Sequence, residues 1–246
     1  MKKYETLKKM IADSKKIVVF TGAGISCPPP SNIKDFRSSD GLYNKGNKYN
    51  ISTEDILSID FFLSNTKDFY DFYSKNLVFP NAVFNDAHKY FAELEGNKDV
   101  TIITQNIDNL HTQAGSKKVL ELHGNAFRNY CMNCKAEYSL QELNFEDVPT
   151  CSCGSVIRPD IVLYGESLNG NILYEAKNSI MNADLLIVVG TSLIVNPAAS
   201  LVRNFKGNHF VIINKSKTPY DKQADLVFNE DIVQVINNIK DNKKNR

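Results

Sequence analysis

The chain has no tryptophan, five arginines, four histidines and a formal net charge of +1 over 246 residues. So even a charge balance gives no overall field toward nucleic acid or an anionic membrane, and five arginines are few for a phosphate-tracking surface. No apolar run approaches the ~20 residues that cross a bilayer. The opening segment, MKKYETLKKMIADSKK, is charged and carries no apolar stretch of the secretory kind. These absences lead to the expectation of a cytoplasmic protein that binds neither membrane nor nucleic acid. Without long terminal extensions, it reads as a compact unit with little built-in targeting. The chain is nevertheless long enough for one large core, or for a core and a smaller lobe.

Cysteine is scarce too, but unevenly placed. Of the five, Cys131, Cys134, Cys151 and Cys153 fall close together. Without an export signal that grouping favours a metal over disulfides. Cys131-Met-Asn-Cys134 is a zinc-knuckle spacing, and the interval to Cys151-Ser-Cys153 suits a zinc ribbon. The second pair is one residue tighter than the common form, with Gly154 next to it to help the turn. Four thiolates would make a closed, structural zinc site. An iron–sulfur cluster or a redox pair is the alternative use. Cys27 stands apart and reads as packing in a turn, because no histidine neighbours it in sequence.

Apolar periodicity predicts helices over 2–14, 53–78, 82–95, 168–182 and 230–240, with another starting at Pro197. Short buried strands are expected at 17–20, 100–104, 119–122, 161–163, 185–189 and 210–213. The aromatics Phe61, Phe62, Phe69, Tyr70, Phe72 and Tyr73 read as core or lobe-interface packing. The end, DNKKNR, reads as a solvated tail, and no internal repeat is present. Strands alternating with helices mean βαβ units, hence an α/β fold with a Rossmann-like parallel sheet and helices on both faces. Two stretches break the alternation. The expectation is a large lobe from 1–36, 79–128 and 158–246, and a small lobe from a helical insertion at 37–78 and a zinc ribbon at 129–157.

Polar motifs follow strand after strand: Thr21-Gly22, Gln105-Asn106, His123-Gly124, Gly190-Thr191-Ser192 and Asn214. In such sheets ligands bind beyond the carboxyl ends of the strands, so these motifs gather on one rim. Gly22-Ala23-Gly24 after a strand suits close backbone approach to a pyrophosphate, or simply a strand-to-helix turn. The dinucleotide fingerprint is incomplete. Cys27 stands where a third glycine belongs, and Asp40 lies in a loop rather than at a second strand end. A phosphate turn is therefore supported and a hydride-transfer site is not. His88 falls in a helical pattern and His209 opens a strand, both structural readings. His111 and His123 sit in polar loops, where an imidazole could serve as a base near neutral pH.

In order along the chain come GAGIS, DFRS, TQNID, ELHGN, the split cysteines, RPDIVLYGE, GTSLIVNPAASL and IINKSKTP. Together they resemble the sirtuins, NAD-dependent protein lysine deacylases, from about residue 16 to 231. The resemblance implies that NAD is consumed as a co-substrate. The acyl oxygen of an acylated lysine attacks the ribose carbon, and nicotinamide leaves. His123 matches the base that takes a proton from a ribose hydroxyl, and the products are free lysine, nicotinamide and O-acyl-ADP-ribose. By the same resemblance Gly22, Ala23 and Gly24 face the phosphates, and Cys27, Asp35, Phe36 and Arg37 belong to a cofactor loop able to reorder. Phe36 covers the nicotinamide end and shields the intermediate from water. Gln105 and Asn106 match ribose contacts, and Ile107 and Asp108 the nicotinamide pocket. Gly190, Thr191 and Ser192 match phosphate and ribose contacts. Asn214 and Lys215 match the adenosine ribose side, and Asp231 and Ile232 the adenine end. Val162, Leu163 and Tyr164 match the acyl-lysine tunnel, in a segment expected to pair with an extended substrate by strand addition. Zinc only holds the small lobe together.

Two departures from the sirtuin pattern stand out. Eight residues, CPPPSNIK, separate GAGIS from DFR where six are usual. Tyr73 is followed three residues later by Asn76 and not by the arginine that binds acidic acyl groups, which predicts an acetyl or other neutral acyl substrate. Other readings are a non-catalytic NAD or ADP-ribose sensor, a protein ADP-ribosyltransferase and a zinc-ribbon nucleic-acid binder.

Overall fold

Within the apolar strands, neighbouring residues face opposite ways and both faces are buried. Ile17 and Val19 join one core cluster while Val18 and Phe20 join another. Leu185, Ile187 and Val189 alternate with Leu186 and Val188 in the same manner. Continuous apolar runs of this kind belong to a parallel sheet covered on both sides. The computed structural model describes residues 2–240 apart from Asp40 and Lys45. Asp40 and the tail 241–246, discussed above, therefore lie outside the described residues.

In chain order the elements are α1 (Lys2–Asp13), β1 (Lys16–Thr21), α2 (Thr53–Ile56), α3 (Ile59–Ser64), α4 (Thr66–Asn76), α5 (Asp86–Leu94), β2 (Asp99–Thr104), α6 (Leu110–Gln113) and β3 (Val119–Glu121). There follow β4 (Gly124–Cys131), β5 (Glu137–Ser139), β6 (Ile157–Ile161), α7 (Gly170–Met181), β7 (Leu185–Val189), β8 (His209–Ile213), β9 (Leu226–Phe228) and α8 (Ile232–Lys240). Six strands form one sheet in the order β3-β2-β1-β7-β8-β9, and every pairing is parallel. Helices α1, α5 and α8 contribute to the core on one face, and α7 to the core on the other. The order reverses between β1 and β7, which opens a crevice at their carboxyl ends. The second sheet, β5-β4-β6, is antiparallel.

The predicted 53–78 helix is three helices, α2 to α4. The breaks follow cap chemistry. Ser52 Oγ accepts from the Asp55 amide and Ser58 Oγ from the Phe61 amide, so each serine starts a helix of its own. The helices still bury their aromatics together. Phe62, Phe69, Tyr70, Phe72 and Tyr73 form one cluster with Ile161 and Leu163. The 161–163 strand is displaced: β6 ends at Ile161 and belongs to the antiparallel sheet. The helix after Pro197 is a 3-10 run, Ala198–Asn204. Strands β4, β5 and β9 were not anticipated, two of them being only three residues long.

Candidate active site

The crevice between β1 and β7 is built from backbone. The Gly22 amide donates to the Val189 carbonyl at 3.1 Å, and the Gly24 amide to the Gly190 carbonyl at 2.8 Å. A Cβ on Gly22 would stand 2.7 Å from Thr191 Cβ, and one on Gly24 2.7 Å from Gly190 Cα. Gly190 adopts φ +60°, and its Cβ would meet the Ile25 nitrogen at 2.3 Å. These glycines are required first by the packing of two strand-end loops on each other. The Ile25 and Ser26 amides are also used, by Gly22 and Ala23 carbonyls. Among the described residues the Ala23 amide has no partner, so it is the donor of this turn that remains for an anion.

A cavity of about 1420 Å³ spreads from this turn. Lining it are Gly22, Ala23, Gly24, Cys27, Asp35, Phe36, Arg37, Gln105, Asn106, Ile107, His123, Gly190, Thr191, Ser192, Asn214, Lys215, Asp231 and Ile232, together with Val162, Leu163 and Tyr164. Of the residues assigned by sequence to cofactor or substrate, only Asp108 is missing from this lining. Asp108 sits behind it, accepting from Ser26 Oγ at 2.6 Å, Asn106 Nδ2 at 3.2 Å and the Leu110 amide at 3.0 Å. Burial pushes its carboxyl above the ordinary range, against the pull of those bonds.

His123 follows β3 and is half-buried. Its Nδ1 lies 2.9 Å from the Gln105 carbonyl. A carbonyl only accepts, so Nδ1 carries the proton and Nε2 is left with a lone pair. Burial lowers the imidazole pKa below its ordinary value, opposed by that hydrogen bond, so the ring is neutral near pH 7. The Gln105 side chain donates to Thr191 Oγ1 at 3.1 Å, tying the ends of β2 and β7 together.

The other buried histidines are different. His88 and His111 are 0% and 1% exposed, with ring centroids 4.8 Å apart. His111 Nε2 is 3.0 Å from Thr21 Oγ1, and His88 Nε2 is 3.4 Å from Ser26 Oγ. Burial holds His88 down to about 3 and His111 well below the usual value. Neither lines the cavity. They form an interior polar layer beneath it, with Asn85 capping α5 above His88. Cys27 lines the cavity, but its thiol is pushed up to about 11 by burial first and Asp35 second, which makes it inert packing.

On the opposite wall, the Val162 amide donates to the His123 carbonyl at 3.0 Å. The Tyr164 amide donates to Leu57 O, and the Ile59 amide to Tyr164 O, both at 2.9 Å. Leu163 N donates to Glu166, whose carboxylate is held by the Arg158 fork at 2.9 and 2.8 Å. Beyond them Gly165, at φ +90°, makes no main-chain hydrogen bond among the described residues. Sequence reasoning did not single out Tyr43, Leu57, Phe79 or Ile194, all of which line the cavity. Tyr43, Phe79 and Ile194 lie outside the periodic stretches, and Leu57 reads there as one more apolar position of the 53–78 helix.

Away from the cavity, the Sγ atoms of Cys131, Cys134, Cys151 and Cys153 lie within 4.8 Å of one another. The closest pairs are Cys131–Cys153 at 3.4 Å and Cys134–Cys151 at 3.6 Å. Tetrahedral zinc–thiolate bonds of ~2.3 Å place sulfurs about 3.8 Å apart, so the set fits zinc. The tight second pair is accommodated by Gly154 at φ +82°. None of the four cysteines lines the cavity, which makes the site structural.

A Sir2 family model matches residues 22–197. The chain belongs to the Sir2 family. It is 46% identical over 241 residues to the NAD-dependent protein deacetylase of Clostridium acetobutylicum, covering 96% of this chain and 98% of that one. A Staphylococcus epidermidis protein of the same name is 46% identical over 237 residues, with 96% of each chain covered. Among solved structures, a Sir2 with a p53 peptide and NAD+ superposes with TM-score 0.85 at 41% identity, over 99% of each chain. A Sir2 bound to an acetylated peptide gives 0.84 at 40%, again over 99% of each. The α/β fold, the parallel sheet and the four-cysteine set expected from sequence are those of this Sir2 chain. Among its described residues, no helix is long and apolar enough to cross a membrane.

Proposed function

We propose that this protein is an NAD-dependent protein-lysine deacylase that removes acetyl or other neutral acyl groups and releases nicotinamide and O-acyl-ADP-ribose. The observation that carries this reading is His123, a neutral imidazole whose Nδ1 proton is fixed on the Gln105 carbonyl and whose Nε2 is free to accept. It stands in one cavity with the glycine turn and with Val162 and Tyr164. In this reading the Ala23 amide meets a phosphate of NAD, and Thr191, Ser192, Asn214, Lys215 and Asp231 hold the remainder of the dinucleotide. Gln105 and Asn106 face the nicotinamide ribose. Asp108 acts from behind, orienting the Asn106 amide and Ser26.

The reaction follows from these positions. The acyl oxygen attacks the ribose carbon and the bond to nicotinamide breaks. His123 then takes the proton of a ribose hydroxyl, and that oxygen attacks the acyl carbon. The lysine nitrogen then leaves as the protonated amine and one water adds to the acyl carbon, so that NAD, acyl-lysine and water become nicotinamide, free lysine and O-acyl-ADP-ribose. General-base assistance of this kind is worth about 10²–10⁴-fold. Zinc would be held by Cys131, Cys134, Cys151 and Cys153, where it supplies cohesion and no chemistry. The division into a large lobe and a small lobe at residues 37–78 and 129–157 is part of the proposal, as is a cytoplasmic address.

Strand addition falls on Gly165, because the amides of Val162, Leu163 and Tyr164 are already engaged. The neutral acyl preference is supported by Asn76, which lines the cavity, and by Tyr73, which is sealed in the aromatic cluster. The deciding assay supplies NAD and an acetyl-lysine peptide and follows nicotinamide and peptide by mass spectrometry. Equal release of nicotinamide and deacetylated peptide is expected. NAD loss with ADP-ribose attached to a protein, or binding without turnover, would overturn the reading.

A further inference from the structure

Resting on the deacylase reading, we propose that Tyr43 and Tyr164 are positioning residues. Their hydroxyls bolt the cofactor loop to the acyl-lysine wall and keep water from the reaction intermediate.

Three observations carry this. The two hydroxyls hydrogen-bond to each other across the cavity that both rings line. Tyr164 is a firm anchor, since its amide and carbonyl are bonded at 2.9 Å to Leu57 and from Ile59. Tyr43 is fastened to the cofactor loop at several points. Its amide donates to Phe36 O at 2.9 Å, its ring lies 5.4 Å from the Phe36 ring, and the Arg37 guanidinium sits 4.9 Å above it. Gly41 lets this loop fold on itself, since a Cβ there would stand 2.7 Å from the Phe36 carbonyl carbon. Among the described residues, this hydroxyl pair joins the 35–44 loop to the 162–166 wall.

The consequence concerns a competing step. After nicotinamide leaves, water can attack the ribose carbon before the ribose hydroxyl attacks the acyl carbon. The bond from that carbon to the acyl oxygen then breaks, acyl-lysine is regenerated, and ADP-ribose forms. NAD and water are consumed with no lysine freed. A loop held shut by the bolt suppresses that step.

The test measures nicotinamide formed per lysine freed, in wild type, Tyr43→Phe, Tyr164→Phe and the double variant. Phenylalanine keeps the rings and removes only the bond, and thermal unfolding verifies the fold. Wild type should give a ratio near one. Each single variant should raise the excess nicotinamide by about fivefold, the factor a neutral hydrogen bond is worth. The double variant should match the singles, because one bond is lost in all three. The excess must vanish with an unacetylated peptide, since it comes from the intermediate. A variant ratio unchanged from wild type, additive effects, or an excess independent of the acyl group would overturn the proposal. Wild type that frees no lysine would overturn the deacylase reading itself, so the two failures are distinguishable.

Discussion

The two sheets of this protein hold themselves together by different means. The six-stranded parallel sheet is buried on both faces, and its interior strands bury runs of Val, Ile, Leu and Phe. The three-stranded sheet has a small core of its own at the cysteines, where, among the described residues, Cys131, Cys151 and Ile157 are buried with Tyr138 and Leu143 packed alongside. So few apolar side chains leave the ribbon dependent on the four sulfurs. The large sheet can therefore leave its carboxyl rim to function, while the small sheet uses its distinctive residues for cohesion. Polar residues mean chemistry at the first and architecture at the second.

The largest effect should come from breaking the second region alone. Zinc in such a site contributes ~10 kcal/mol or more to folding, comparable with the whole stability of a domain. Cys131→Ser, or exposure to a strong chelator, should unfold the ribbon and leave the apolar sheet folded. Proteolysis would then cut within 129–157 first, and metal analysis would show the zinc gone. Undiminished stability in zinc-free protein would erase the contrast between the two sheets.

The next effect should fall on the rim and spare both folds. His123→Ala should lower deacylation by about 10²–10⁴-fold while NAD affinity holds. Titration calorimetry beside the rate assay checks both halves. Because burial depresses the wild-type imidazole, kcat/KM should fall on the acid side only below the ordinary histidine value of about 6.5.

The smallest effect probes the layer between rim and core. His88 is held down to about 3 in the fold, whereas an unfolded histidine titrates near 6.5. Between those values the unfolded chain binds the extra proton, so stability is full above about 6.5 and declines as pH falls. The slope from this residue is about 1.4 kcal/mol per pH unit. Urea midpoints at about pH 7 and pH 5.5 should show the decline, and His88→Gln should reduce it while the share of His111 remains. An unchanged slope would remove His88 from the acid sensitivity of the fold.

The rim was legible in the sequence because each polar motif directly follows an apolar run, and a parallel sheet delivers all such positions to one edge. The helical insertion was less so. Its apolar spacing runs through Ser58 and Asn65 without a gap, and only the caps reveal the breaks. Asp108 is placed in the nicotinamide pocket by the sirtuin resemblance alone, yet the turn into α6 carries its carboxylate behind the cavity-lining Gln105, Asn106 and Ile107 toward Ser26. The role of Ser26 and the depth of His88 depend on contacts across 82 and 62 residues, which no local pattern encodes. Tyr43 and Tyr164 lie 121 residues apart and were equally hidden as a pair.

The bond between His123 Nδ1 and the Gln105 carbonyl has a consequence for how this enzyme can vary. The atom that selects the His123 tautomer belongs to the main chain, and every amino acid supplies it. Substitutions at position 105 can therefore alter the link to Thr191 and the proposed ribose contact without reversing the imidazole. The tautomer of His123 is thus insulated from the choice of side chain at position 105, and affinity can be retuned there around a fixed imidazole.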